Sequence, residues 1–220
     1  LRAVLFDLGG TLIKTAPIPE IFHRILVAHG VKVKVQPNQQ DLDEITAQTS
    51  LDDYGLPYEE FWRIYNAKAL RRMGLKGNLD KLADTVGDEW WDNADLKLHA
   101  DVRDTLKALR KKNLKIGLVT NGFRKDIEEI LSRTGLAGQF DVTVGIDDVG
   151  KPKPEKEIFL YALKRLNISP SQALFVGDHP QADYEGAKVV GMKPLLVDRD
   201  NTVCRPFEKI TDLTEVLKYI

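Results

Sequence analysis

The 220-residue chain is 43% hydrophobic and carries 32 basic against 33 acidic residues, for a formal net charge of -1. That balance argues against a bulk-cationic nucleic-acid binder, which needs a concentrated positive footprint, while the length suffices for a substantial core. The single cysteine, Cys204, rules out an intrachain disulfide, and no apolar run approaches the roughly 20 residues of a spanning helix. The leading LRAVLFDLGG is too short for a secretory signal, so no membrane partner and a cytoplasmic location are expected.

In chain order, the first strand is read at residues 3–6 (AVLF). Residues 15–93 then break any strand rhythm. They carry helical patterns at 20–29, 40–51, 58–73 and 78–87, with an aromatic stripe of Tyr58, Phe61, Trp62 and Tyr65 that suits a local core. From 102 onward strands and helices alternate. Val102, Leu106 and Leu109 mark one helix, and KIGLVT at 115–120 a strand. Ile127, Ile130 and Leu131 mark the next helix, followed by FDVTV at 140–144. Phe159, Leu163 and Leu166 precede ALFV at 173–176, and a shorter helix at 182–189 precedes PLLV at 194–197. Most of the strands are continuously apolar, as in parallel strands covered on both faces. The pattern predicts an α/β fold: a Rossmann-like parallel sheet core with an inserted α-helical cap domain. The core spans 1–14 and 98–220 and the cap 15–97, with hinges expected at 14–19 and 91–99.

Ligands bind outside the C-terminal ends of parallel strands, and there this sequence places its polar residues. The first strand runs into FDLGGT, with Asp7 at its end and Gly9 and Gly10 allowing a tight turn. VTNG ends the second with Thr120 and Asn121, both expected to bind substrate. VGDHPQAD ends another with Asp178, and Asp183 follows. GKPKPEKEIF carries Lys151 and Lys153. Such a set could hold a phosphoryl group. Asp7 and Asp178 could bind one Mg²⁺, which prefers hard oxygen ligands, and Asp7 could attack phosphorus. Thr120 and backbone N–H groups could bind the equatorial oxygens, and Lys153 could balance the negative charge.

These motifs, in this order, resemble those of the haloacid dehalogenase superfamily, most of whose members are phosphatases. The resemblance covers 2–12 and 99–197. It implies that Asp7 in FDLGGTL is the nucleophile, Thr120 the second-motif residue, Lys153 in KPEKEIF the third-motif lysine, and Asp178 in GDHPQAD a Mg²⁺ ligand with the Gly9 carbonyl. Asp183 is expected to brace the site from behind. The implied activity is Mg²⁺-dependent hydrolysis of a small phosphorylated metabolite through an aspartyl-phosphate on Asp7.

The sequence departs from the family pattern at Gly9, where phosphatases usually carry a second Asp that protonates the leaving group. Two other readings follow from that gap: a metal-independent 2-haloacid dehalogenase with Asp7 as nucleophile, and a degenerate member acting as a binding or scaffold protein. His179 or a cap residue could replace the missing acid, and Arg24 or Arg63 in the cap could meet a substrate anion. His23, His29 and His99 show no metal-ligand spacing, and Cys204 lies away from every motif.

Overall fold

The computed structural model describes residues 1–32, 39–204 and 206–220. The chain opens with β1 (Ala3–Phe6) and the two-residue β2 (Ile13–Lys14). It continues through helices α1 (Ile18–Ala28), α2 (Gln39–Ala47), α3 (Tyr58–Arg72), α4 (Asp80–Asp88) and α5 (Trp90–Asn93). Then follow β3 (Lys97–Leu98), α6 (Val102–Lys111), β4 (Lys115–Val119), α7 (Arg124–Thr134), β5 (Val142–Val144) and α8 (Lys156–Leu166). The last elements are β6 (Ala173–Gly177), the one-turn α9 (Gly186–Val189), β7 (Lys193–Val197) and β8 (Lys209–Ile210). Among the described residues no helix is long and apolar enough to cross a membrane.

The chain divides into two units, Leu1–Lys14 with Lys97–Ile220, and Thr15–Leu96. In the first, six parallel strands lie in the order β5-β4-β1-β6-β7-β8. All four residues of central β1 are buried. Its alternation sends Ala3 and Leu5 into a cluster with Ile158, Phe159, Leu163 and Phe175, leaving Val4 and Phe6 for the opposite face. Phe159 and Phe175 meet edge to face at 5.0 Å. The helix α6 buries Val102, Leu106 and Leu109, the stripe read from the sequence, and a 3₁₀ segment Leu213–Lys218 packs beside it. This is the α/β architecture expected.

Register decides what the sheet presents. Phe6 pairs with Leu118 of β4 and Val176 of β6. Continued by one residue, that register sets Asp7 beside Val119 and Gly177, with Thr120 and Asp178 one step further along. The Asp7 N–H bonds the Val176 carbonyl at 2.9 Å, so the chain is still laddered where the polar residues begin. Lys14 pairs antiparallel with Lys97 and Ile13 with Leu98, so the strands leading out of and back into this unit form one ribbon.

Every regular element described in the second unit is a helix. Ile21, Phe22, Ile25 and Leu26 of α1 form its core with Leu42, Ile45, Leu70, Ala83 and Val86. Phe61 is buried in the expected aromatic stripe, its ring 5.1 Å from that of Trp62 and 5.5 Å from that of Tyr54. Buried Asn66 donates to the Ala83 carbonyl and joins α3 to α4.

Candidate active site

Asp7, Lys153, Asp178 and Asp183 converge at the C-terminal ends of β1 and β6. Lys153 Nζ donates to Asp7 Oδ1 and to Asp183 Oδ1, each at 2.6 Å, and all three side chains are at most 10% exposed. Among the described residues, Asp7, Asp178 and Asp183 each turn one carboxylate oxygen to within 4.8 Å of the other two. Burial, with Asp183 and Asp178, outweighs the downward pull of Lys153 and pushes the Asp7 carboxyl up to about 7. Burial and Asp183 raise Asp178 as well. Burial works against the Lys153 ammonium, but its two carboxylate partners outweigh it and hold its pKa above the ordinary value.

Local backbone geometry makes this convergence possible. Gly10 has a φ of 75°, a left-handed turn, and a Cβ there would lie 2.2 Å from Asp178 Oδ2. The side chain of Asp178 therefore lies directly on the loop that follows Asp7, where Thr11 Oγ1 donates to its Oδ1 at 3.1 Å. Gly177 is equally constrained, since a Cβ there would sit 2.4 Å from the Asp183 carboxyl.

The short helix expected at 182–189 opens differently. Residues Pro180–Glu185 form a wide π-turn, with the Asp183 and Tyr184 N–H groups both bonding the His179 carbonyl. One regular turn, α9, follows. The wide turn swings the Asp183 side chain back so that Oδ2 accepts the His179 N–H at 2.9 Å while Oδ1 takes Lys153.

The remaining expected residues sort clearly. Thr120 is buried, and its Oγ1 accepts the Gly122 N–H at 3.3 Å, leaving its own proton to donate. Asn121, expected to meet substrate, clasps the Lys153 main chain. Its Oδ1 accepts the Lys153 N–H at 2.7 Å and its Nδ2 donates to the Lys153 carbonyl at 3.3 Å. Each bond uses one of the two amide N–H groups and one of the two oxygen lone pairs, so Asn121 fixes the lysine loop and keeps one donor and one acceptor site for a ligand. Lys151, the other lysine of that loop, pairs with Glu157 at 2.7 Å and stays outside the cluster. His179 is exposed and its Nδ1 accepts the N–H groups of Gln181 and Ala182, a capping role. Arg24 binds Glu20, Asp95 and the Asn93 carbonyl, and Arg63 binds Asp84, so both cations are engaged inside the helical unit. His29 pairs with Glu89, and Cys204 is exposed. At Gly9, an added Cβ would meet nothing within 4 Å.

The three-carboxylate cluster has the donor set for a small hard cation. Lys153 serves two of its members, and Asp178 receives a neutral hydroxyl. With all three carboxylates ionised a single ammonium leaves the group anionic, so the residues fit a divalent ion.

Over residues 1–191 the sequence matches the haloacid dehalogenase-like hydrolase family. The chain belongs to that family. As a haloacid dehalogenase-like hydrolase it is 30% identical over 201 residues to the glyceraldehyde 3-phosphate phosphatase of Methanopyrus kandleri, covering 90% of this chain and 84% of the relative. The crystal structure of a HAD phosphatase from Thermococcus onnurineus matches with a TM-score of 0.71 at 28% identity, covering 100% of this chain and 97% of that one. The crystal structure of a 2-haloacid dehalogenase from Pseudomonas syringae pv. Tomato DC3000 matches with a TM-score of 0.70 at 26% identity, covering 99% and 97%. Membership makes this chain a hydrolase, and overall similarity reaches both phosphatases and dehalogenases of the family.

Proposed function

We propose that this hydrolase is a Mg²⁺-dependent phosphohydrolase that acts on a small phosphorylated metabolite through an aspartyl-phosphate on Asp7. One observation carries the reading: the nucleophile Asp7 and two further carboxylates, Asp178 and Asp183, bring one oxygen each within 4.8 Å of one another, with one buried lysine as charge partner. A metal-free dehalogenase has no use for Asp178, whose charge beside an attacking carboxylate is unfavourable unless a cation separates them. The phosphatase relative at 30% identity adds support for a small phosphorylated substrate.

Asp7 and Asp178, with the Gly9 carbonyl, are the groups assigned to hold Mg²⁺, and Asp183 braces them through Lys153. When bound, Mg²⁺ supplies positive charge that offsets the repulsion between the carboxylate nucleophile and an anionic phosphate. Asp7 attacks phosphorus, the bond to the leaving oxygen breaks, and that oxygen departs with the electron pair. Water then cleaves the acyl phosphate, releasing inorganic phosphate and restoring Asp7. Lys153 balances charge on Asp7 and on the transferring group, and the Thr120 hydroxyl donates to a phosphate oxygen. Asn121 contributes by fixing the Lys153 peptide. The helical unit Thr15–Leu96 is assigned the selection of substrate, and a cytoplasmic location belongs to the same proposal.

Position 9 shapes the substrate range. A positioned general acid is worth about 10²–10⁴-fold, and Gly9 supplies none. Acyl and aryl phosphates, whose leaving groups depart without a proton, are therefore favoured over alkyl monophosphates. The test is phosphate release from acetyl phosphate and p-nitrophenyl phosphate, with Mg²⁺ or chelator, for wild type and D7N. Turnover that needs both Mg²⁺ and Asp7 is expected. Absence of turnover on both compounds, with halide release from a 2-haloacid in chelator, would replace this reading by dehalogenation.

A further inference from the structure

Arg199 leaves the C-terminal end of β7 and grips Asp101, the residue that precedes α6. Nη1 donates to Asp101 Oδ2 at 2.7 Å and Nη2 to Oδ1 at 3.1 Å, a two-pronged pair whose side chains are 20% and 7% exposed. Asp101 Oδ2 also accepts the Leu213 N–H at 2.8 Å. Burial pulls the Asp101 carboxyl upward, but Arg199 and the Leu213 N–H outweigh it and hold the group below the usual carboxylate range. Asp101 is thus a carboxylate at neutral pH.

A purely structural ion pair could end there, but Arg199 Nη2 donates a further bond, at 2.9 Å, to the carbonyl of Thr11. Thr11 is fully buried, and its hydroxyl holds Asp178. The neighbouring Leu12 carbonyl accepts the His99 N–H at 3.0 Å. The loop after Asp7 is therefore gripped from one side by Arg199 and His99, and it grips Asp178 on the other. There is no slack between loop and carboxylate, since Asp178 Oδ2 lies where a Gly10 Cβ would clash at 2.2 Å.

We propose that Arg199, anchored by Asp101, is a positioning residue that sets the Asp178 carboxylate for cation binding by fixing the Thr11 loop. This rests on the assignment of Asp178 as a metal ligand made above. None of Asp101, Thr11 and Asp178 shares a sequence motif with Arg199, and Asp101 and Arg199 stand 98 positions apart.

The test is Mn²⁺ binding, followed by the electron paramagnetic resonance of the free ion, for wild type, R199K, D101N, T11V, T11S and the R199K/T11V double variant. Lysine keeps the charge of Arg199 but cannot hold Asp101 with two prongs and the Thr11 carbonyl together. R199K, D101N and T11V are each expected to weaken Mn²⁺ binding by about 10-fold, the lower end for groups that orient metal ligands. T11S, which keeps the hydroxyl, should bind like wild type. The double variant should be little weaker than the weaker single one, because both changes act along one path. Excess Mg²⁺ should restore turnover to R199K, which a general folding defect would not allow. D101N gives an independent arm should R199K fold poorly. Wild-type affinity in both R199K and D101N, or fully additive losses in the double variant, would overturn the proposal while leaving the phosphohydrolase reading intact. A wild-type protein that binds no Mn²⁺ would overturn the metal assignment first and this proposal with it.

Discussion

Two strands of the same sheet end in an aspartate paired with a lysine, and the two pairs behave in opposite ways. Asp198, after β7, accepts Lys209 Nζ at 2.8 Å and the N–H groups of Thr202 and Val203 at 2.9 and 3.0 Å. The Lys209 bond outweighs the effect of burial and, with those N–H groups, holds its pKa at about 2. Asp7, after β1, has Lys153 but faces Asp183 and Asp178, and burial pushes it up to about 7. A carboxylate whose lone pairs are filled by backbone donors is a latch for its loop. One crowded by like charges, with a single cation to balance it, is poised for a ligand that brings more positive charge. Position in the sheet is similar, and the neighbours decide the role.

The largest expected effect comes from removing the poised group. D7N should lose turnover to background. It should also gain stability over the metal-free wild type as pH rises. Folded Asp7 retains a proton between its ordinary 3.8 and about 7 that the unfolded chain has released, so wild-type stability falls as pH climbs through that window. Asn has no such term. Thermal melts of the two proteins at pH 5 and pH 8 should therefore show D7N gaining on wild type at the higher pH; a constant gap would mean that Asp7 is not strained by its neighbours.

Next in size is K153M. It leaves three carboxylates with no buried cation, and breaking such a pair costs about 3–5 kcal/mol. Turnover should fall roughly 10²–10³-fold, the usual loss for one charge-stabilising donor. Mg²⁺ should recover part of the lost melting temperature. G9D comes third. Its Cβ meets nothing within 4 Å, so the protein should fold, and hydrolysis of an alkyl monophosphate should rise by as much as about 10²-fold relative to acetyl phosphate. An unchanged ratio of the two substrates would remove Gly9 as the cause of leaving-group preference. The smallest effect belongs to the latch. D198N should leave turnover unchanged and lower the melting temperature at pH 7. That deficit should shrink as pH falls from about 4 toward about 2, where wild-type Asp198 takes up its proton.

Much of this was legible because the physics is local. Continuous apolar runs such as AVLF and ALFV announce strands covered on both faces, and the chain forms them as β1 and β6. The stripe of Val102, Leu106 and Leu109 announces a one-sided helix. Two-residue strands such as β2, β3 and β8 carry no periodicity to detect and arise from pairing alone. The apolar spacing at 182–189 predicts an ordinary short helix, and carries no sign that the turn Pro180–Glu185 is widened where Asp183 meets Lys153, a partner 30 residues away. The place of Asn121 after Thr120 carries no sign of its bonds to the lysine loop. Only the fold reveals that the Lys153 peptide lies against its amide. Arg199 and Asp101 were invisible for the same reason: neither sits in a motif, and their meeting depends on β7 ending beside the start of α6.

The β2–β3 ribbon has the pairing of a hairpin, with Lys14 opposite Lys97, yet a whole helical unit stands where two turn residues would do. Each doubling of a loop's length adds only about 0.6 kcal/mol to the cost of closing it. Such a junction is a socket: insertions of very different size can be exchanged there at nearly constant cost to the sheet.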